Sequence, residues 1–351
     1  MDIRRIERTI ERQTEPEPFS GVVYLARGGT ALFEGGYGLA IRSESIPNRI
    51  HTRFQMASGC KIFTSVAICQ LVERGLLQFD TPLSACVDVE FPHYDPGITV
   101  HHLLTHSSGI TSYFEEDVND DYEALWRDKP MYNLRGPRDF LPLFQQKKAK
   151  FPPGERFEYN DGGYILLGLV VESLTGMDFP AYVHEHIFGP AHMQDSGYFA
   201  TDQLPGRTAY AYIQNPAGSW RTNFFAVPIV GAPDGGAYTT APDMARFWRA
   251  LFGHQLLTSE TTRRLLEAHI ATGLESPYTH YGYGVWIDRP EKAIRKYFVE
   301  GFDPGVALRS DQDPGERGRS QRLLPGAWRC RSAPFVARVV LRRASRPRHL
   351  A

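Results

Sequence analysis

Phe54-Gln55-Met56-Ala57-Ser58-Gly59-Cys60-Lys61 leads into a helical pattern in which Ile62, Val66, Cys69 and Val72 share one face and Gly75 is placed to end the run. Ser58 thus stands at a helix start, with Lys61 one turn further on the same side. The spacing makes a hydroxyl and an amine neighbours. A serine hydroxyl is a poor nucleophile until a base takes its proton, and a lysine in a desolvated cleft is able to be that base. The helix N-terminus adds amide donors and a dipole that favour a developing oxyanion. On its own, the S-x-x-K spacing is expected about once by chance in a chain this long. Its ordinary structural meaning is an N-cap serine.

Upstream, Ile3, Ile6 and Ile10 recur at helical spacing, and Phe19 to Ala26 and Thr30 to Ala40 read as strands around a Gly28-Gly29 turn. Downstream, from about Asp80 to Ala232, helices and loops dominate: a short helix near Val100 to His106, another near Asp139 to Lys147, and a strong one from Gly163 to Leu174. Two more helices, Pro242 to Phe252 and Ser259 to His269, precede expected strands at Tyr281 to Ile287 and Ile294 to Gly301. Strands near both ends around a helical middle predict an α/β domain built from residues 1–80 and 233–308, with an inserted helical domain over 81–232. The cleft between the two is where a site is expected.

The 351 residues are 42% hydrophobic with a formal net charge of −1, enough for a large core and no electrostatic footprint for nucleic acid. The N-terminus lacks a secretory pattern, no stretch of about 18 apolar residues occurs, and Cys60, Cys69, Cys86 and Cys330 form no C-x-x-C pair. A cytoplasmic chain with reduced thiols and no membrane span is expected. Residues 309–351 depart from this composition: from Arg317 onward arginine recurs with neither an acid nor a lysine. Such a run reads either as a basic tail or, preferably, as an ending foreign to the fold, such as a shifted reading frame produces.

Four stretches carry a family resemblance. The Phe54–Lys61 segment with Gln70-Leu71-Val72-Glu73-Arg74-Gly75 resembles the nucleophile helix of class C β-lactamases and related penicillin-binding proteins. Ile98 to Ile110, Phe157-Glu158-Tyr159-Asn160-Asp161-Gly162-Gly163-Tyr164 and Gly235 to Phe247 are similar to later segments of the same superfamily, so the likeness covers roughly residues 1–308. The resemblance implies an antiparallel sheet flanked by helices and an acyl-enzyme mechanism without a cofactor. It makes Ser58 the nucleophile and Lys61 and Tyr159 its proton-handling partners. By the same resemblance, the amides of Ser58 and Phe302 form the oxyanion hole.

Two departures bear on the substrate, which is expected to be a small ester, amide or short peptide. Asp161 stands where the family's Y-x-N ends in Asn, and an ionised carboxylate cannot donate to a substrate amide. Val299-Glu300-Gly301 stands where K-T-G or H-x-G is usual, and a cleft-facing Glu300 would repel a substrate carboxylate. A neutral ester, or a substrate with a free amine, is therefore favoured over β-lactams. A catalytically weak binding protein on the same fold is the competing reading. His102 and His106, four residues apart, lack the Glu and third ligand that a zinc site needs and read as structural.

Overall fold

In the computed structural model the described residues are 7, 19–27, 30–114, 123–214, 219–274, 276–290 and 293–314, with the backbone of 336–342. The expected N-terminal helix and the Gly28-Gly29 turn lie outside them, apart from residue 7. Eight strands form one antiparallel sheet: β1 Gly21–Arg27, β2 Thr30–Tyr37, β3 Ile270–Ala271, β4 Thr279–Tyr281, β5 Trp286–Asp288, β6 Lys296–Asp303, β7 Val306–Gln312 and β8 Val336–Arg342. Their order across the sheet is β2-β1-β8-β7-β6-β5-β4-β3. The sheet is thus built from both ends of the chain, as the strand pattern predicts.

Three expectations change. Tyr281 to Ile287 is not one strand but the β4–β5 hairpin, pairing Tyr281 with Trp286. Gly284 takes a left-handed φ of +70° at its turn, where a Cβ would press on Ser65 and the Lys61 carbonyl. The sheet also passes the limit expected at residue 308: β7 runs to Gln312, and β8 lies between β1 and β7, with Val23 opposite Val340 and Leu308 opposite Leu341. Within the arginine-rich segment the sequence keeps its periodicity only from Phe335 to Leu341, and β8 falls on that stretch. Third, the region 81–232 is not all-helical, because Tyr212–Gln214 pairs with Trp220–Thr222 as a short ribbon.

The helices that place the site are α1 Lys61–Glu73, α2 Val100–Leu104, α3 Asp161–Thr175 and α4 Ala241–Phe252. Helix α1 is apolar on nearly every side, with Lys61 through Cys69 all buried, and so runs through the core rather than over it. Helix α3 is buried from Asp161 to Val171 and packs on α1. Asn160 caps it by accepting from the Gly163 amide at 2.8 Å, and Gly176, at φ +69°, ends it. Helix α4 packs on β1 and β8, and its Trp248 indole donates to Ser310 Oγ on β7 at 2.8 Å. One hydrophobic cluster takes in residues of α1, α2, α3, α4 and β6, so the helical region and the sheet share a core.

Candidate active site

Ser58 lies in a tight 3-10 turn, Ala57–Cys60, immediately before α1 rather than on the helix itself. Ala57 holds φ +47°, a conformation that costs a non-glycine residue about 1–2 kcal/mol and persists only where neighbours over-determine it. They do so here. Phe54–Gln55 pairs with Tyr238–Thr239, the Met56 amide donates to Ala237 O at 2.7 Å, and the Gly236 amide donates to Ala57 O at 3.2 Å. On the other side β6 runs flush against the turn. A Cβ on Gly301 would stand 2.7 Å from Ser58 N and 2.6 Å from Gly59 N, so only glycine lets strand and turn meet. Phe302 follows at once and its side chain is half-exposed. Strand β5 pairs with β6 only from Lys296 to Phe298, so Glu300 to Asp303 have β7 on one edge and no described strand on the other.

Lys61 is 1% exposed. Its ammonium donates to Ser58 Oγ at 3.0 Å, to Asp161 Oδ1 at 2.6 Å and to the main-chain oxygen of Asp234 at 2.6 Å. Burial alone would lower its pKa, yet the carboxylate of Asp161, with Tyr159 and Asp234, outweighs burial and holds the amine well above its ordinary value. The resting lysine is therefore a cation, whereas the sequence points to a desolvated neutral base. The substitution of Asp for Asn does this: Asp161 points at Lys61 and is its counter-ion.

Tyr159 places its ring 4.9 Å from the ammonium. Burial raises its phenol pKa, against the opposing pull of Lys61 and of hydrogen bonds with Lys61 and Ser58, so the phenol is protonated. It is held in place by His106. The imidazole Nδ1 accepts the Asn160 amide at 3.0 Å, the His106 carbonyl accepts the Glu158 amide at 2.9 Å, and the ring stands 4.4 Å from that of Tyr159. Burial and the nearby Lys61 charge keep His106 neutral. His102 caps α2 through Thr99, so the two histidines serve different ends.

Glu300 is not cleft-facing. Alternation along β6 turns it to the face opposite Gly301, where it forms an ion pair with Arg309 on β7, whose guanidinium covers the Phe298 ring. The acids that reach the cleft are others, which sequence reasoning missed. Asp234 and Asp303 line it together with Ser58, Asp161, Tyr113 and Trp126, around an open space of about 600 Å³. Asp234 is 4% exposed and accepts the Tyr113 hydroxyl at 2.5 Å. Burial, then the Asp161 charge, push its carboxyl up to about 6 against Lys61 and Tyr113. Asp303 follows Gly301 by two on the same strand face, a signal that strand periodicity offers. Asp234 carries none, apart from its place beside Gly235-Gly236.

Among the described residues no single helix is long and apolar enough to cross a membrane. The chain is similar to known proteins over most of its length. Penicillin-binding protein 4* of Bacillus subtilis (strain 168) is 26% identical over 305 residues, which cover 82% of this chain and 64% of that protein, so the chain spans less than two thirds of this relative. Esterase EstB of Burkholderia gladioli is 29% identical over 306 residues, covering 78% and 76%. Of solved structures, a penicillin binding protein from Bacillus halodurans superposes with a TM-score of 0.85 at 47% identity, covering 95% of this chain and 94% of its own. The family profile described as Beta-lactamase matches residues 6–309, and with the antiparallel sheet and the placed serine turn it makes this chain a member of the beta-lactamase family of serine hydrolases.

Proposed function

We propose that the protein is an acyl hydrolase in which Ser58 forms an acyl-enzyme, with a neutral or amine-bearing ester or amide as substrate. The observation that carries this reading is the Ser58 Oγ to Lys61 Nζ hydrogen bond at 3.0 Å, set on a turn strained at Ala57 and pressed against β6. Ser58 attacks the carbonyl carbon, and the amides of Ser58 and Phe302 receive the oxyanion. Tyr159, protonated and within reach of Ser58, supplies a proton to the leaving group. Water then releases the acyl group.

The substrate preference comes from charge. Asp161, Asp234 and Asp303 line the cleft, no arginine or lysine is among the described residues that line it, and Lys61 behind Ser58 is already paired with Asp161, so a carboxylate on the substrate meets net repulsion. The sequence alone suggests the same preference through Glu300, which is the wrong residue. The likeness to an esterase supports the ester arm. Cys60, Cys69 and Cys86 are free and buried, in keeping with a reducing, cytoplasmic setting.

Initial rates on p-nitrophenyl butyrate with the protein and with Ser58→Ala test the reading. Hydrolysis lost in the variant is expected. Equal hydrolysis by both proteins would overturn it. No hydrolysis by a protein shown to be folded would favour a binding protein that has kept the fold.

A further inference from the structure

In the ordinary account of a serine–lysine site the lysine is a neutral base, and here it is not. Its three donors face Ser58 Oγ, Asp161 Oδ1 and the carbonyl of Asp234, so the ammonium is fully engaged and has no lone pair for the serine proton. Tyr159 offers none either, since its phenol is protonated. A base is still required for Ser58 to act.

We propose that Asp161 is the terminal proton acceptor of the serine: Lys61 first hands one of its protons to Asp161 Oδ1, and the amine so freed turns its lone pair to Ser58 Oγ and takes the serine proton as Oγ attacks. The inference rests on Ser58 being the nucleophile. Lys61 Nζ stands between the two oxygens, 3.0 Å from one and 2.6 Å from the other, both within the reach of direct transfer. The bond formed is Oγ to the carbonyl carbon, and the carbonyl π pair moves to the oxyanion. When the oxyanion collapses, the bond to the leaving oxygen or nitrogen breaks and that atom takes a proton from Tyr159. Tyr159 is replenished by Lys61, and Lys61 by Asp161, so no proton is gained or lost. Water repeats the sequence on the acyl-enzyme.

Asp234 does not compete for this role, although it is the nearer acid in sequence to the glycine turn. Lys61 meets only its main-chain oxygen, and its carboxylate is turned to the Tyr113 hydroxyl. The titratable groups that bear on Asp161 are Lys61, Asp234, Tyr113, Tyr159 and Tyr281, with His106 beyond Lys61. Of these, Lys61 alone makes a direct charged contact with it. The family's Asn at this position is able to orient a lysine but not to take its proton.

The test is the pH dependence of the rate at which a fluorophosphonate labels Ser58 in the full chain and in Asp161→Asn. Without its counter-ion, buried Lys61 falls toward neutrality and becomes a base that is lost on acidification. The acid limb of Asp161→Asn is therefore expected to move up by more than about one pH unit, with rates converging toward those of the unaltered chain at alkaline pH. An unmoved limb, or a loss uniform across pH, would overturn the proposal. If Asp161→Asn does not fold, the unaltered chain decides. Labelling at its plateau between about pH 6 and 8 is expected, since the relay starts from the charged lysine, whereas a plateau reached only at or above the ordinary lysine range, near about pH 10, counts against the relay. A folded chain that shows no labelling of Ser58 at any pH removes the nucleophile reading and the relay with it.

Discussion

Two acids mark the places where this chain leaves its family's pattern, and the molecule treats them in opposite ways. Asp161, at the start of α3, is 8% exposed and meets Lys61 at 2.6 Å, so a single change of atom type alters the protonation of the residue that activates the serine. Glu300, on β6, lies one residue from the glycine that touches the serine turn, yet its charge is met on the far face by Arg309. Both look like equal disturbances in a linear motif. Direction separates them: a helix N-terminus aims Asp161 into the cleft, while a strand's alternation turns Glu300 away. A departure from a motif thus acquires meaning only with the face it points to.

The comparison is broken most forcefully at Gly301. If β6 touches the serine turn as closely as its geometry shows, then Gly301→Ala forces a Cβ onto the backbone at Met56, Ser58 and Gly59, none of which is free to yield. Overpacking a site of this kind costs about 1–3 kcal/mol or more, and displacing the oxyanion donors is worth about 100-fold in rate. Thermal melting and fluorophosphonate labelling measure the two effects. A stable, fully reactive Gly301→Ala would mean that β6 stands off from the turn and that Glu300 need not face away.

Much of this architecture is legible in the amino-acid sequence. The helix that follows Ser58, the body of α3 and the returning strands follow from periodicities that are local in sequence. Contact across distance is not legible there. Lys61 and Asp161 are 100 residues apart and Lys61 and Asp234 are 173, and no local pattern states that three such groups share one pocket. Hence the sequence suggests a neutral base at Lys61 and singles out neither Asp234 nor Tyr113. The β4–β5 hairpin reads as one strand because Tyr281, Tyr283, Val285 and Ile287 alternate through it, although Gly282 and Gly284 signal the turn.

Asp234 sharpens the contrast from the side of stability. Asp161 gains a charged partner, whereas Asp234 is buried with its carboxyl pushed up from 3.8 to about 6. An acid whose folded pKa is raised binds its proton more tightly in the fold than in the unfolded chain. Stability therefore falls as pH climbs from about 4 to about 6 and stays at the lower level above. Asp234→Asn keeps an acceptor for Tyr113 and removes the buried charge. Its denaturant midpoint is expected to rise at pH 8 by an amount worth roughly 2 kcal/mol and to match the unaltered chain below pH 4. A variant less stable at pH 8 would show that the Lys61 charge outweighs burial at Asp234.

Glu300→Gln carries the smallest effect. The Glu300–Arg309 pair is partly exposed, and Arg309 keeps Asp311 as a second partner at 2.8 Å, so its loss is worth no more than about 1 kcal/mol. Because the side chain leaves β6 on the face away from Ser58, KM and kcat for a neutral ester are expected to stay within about twofold, and an ester bearing a carboxylate should be hydrolysed no better than before. The residues that repel that carboxylate, Asp161, Asp234 and Asp303, are untouched by the change. Were the anionic ester to improve several-fold in the variant while the neutral one held still, the charge governing substrate choice would be on β6 after all. The exclusion would then come from the third motif rather than from the acids around Lys61.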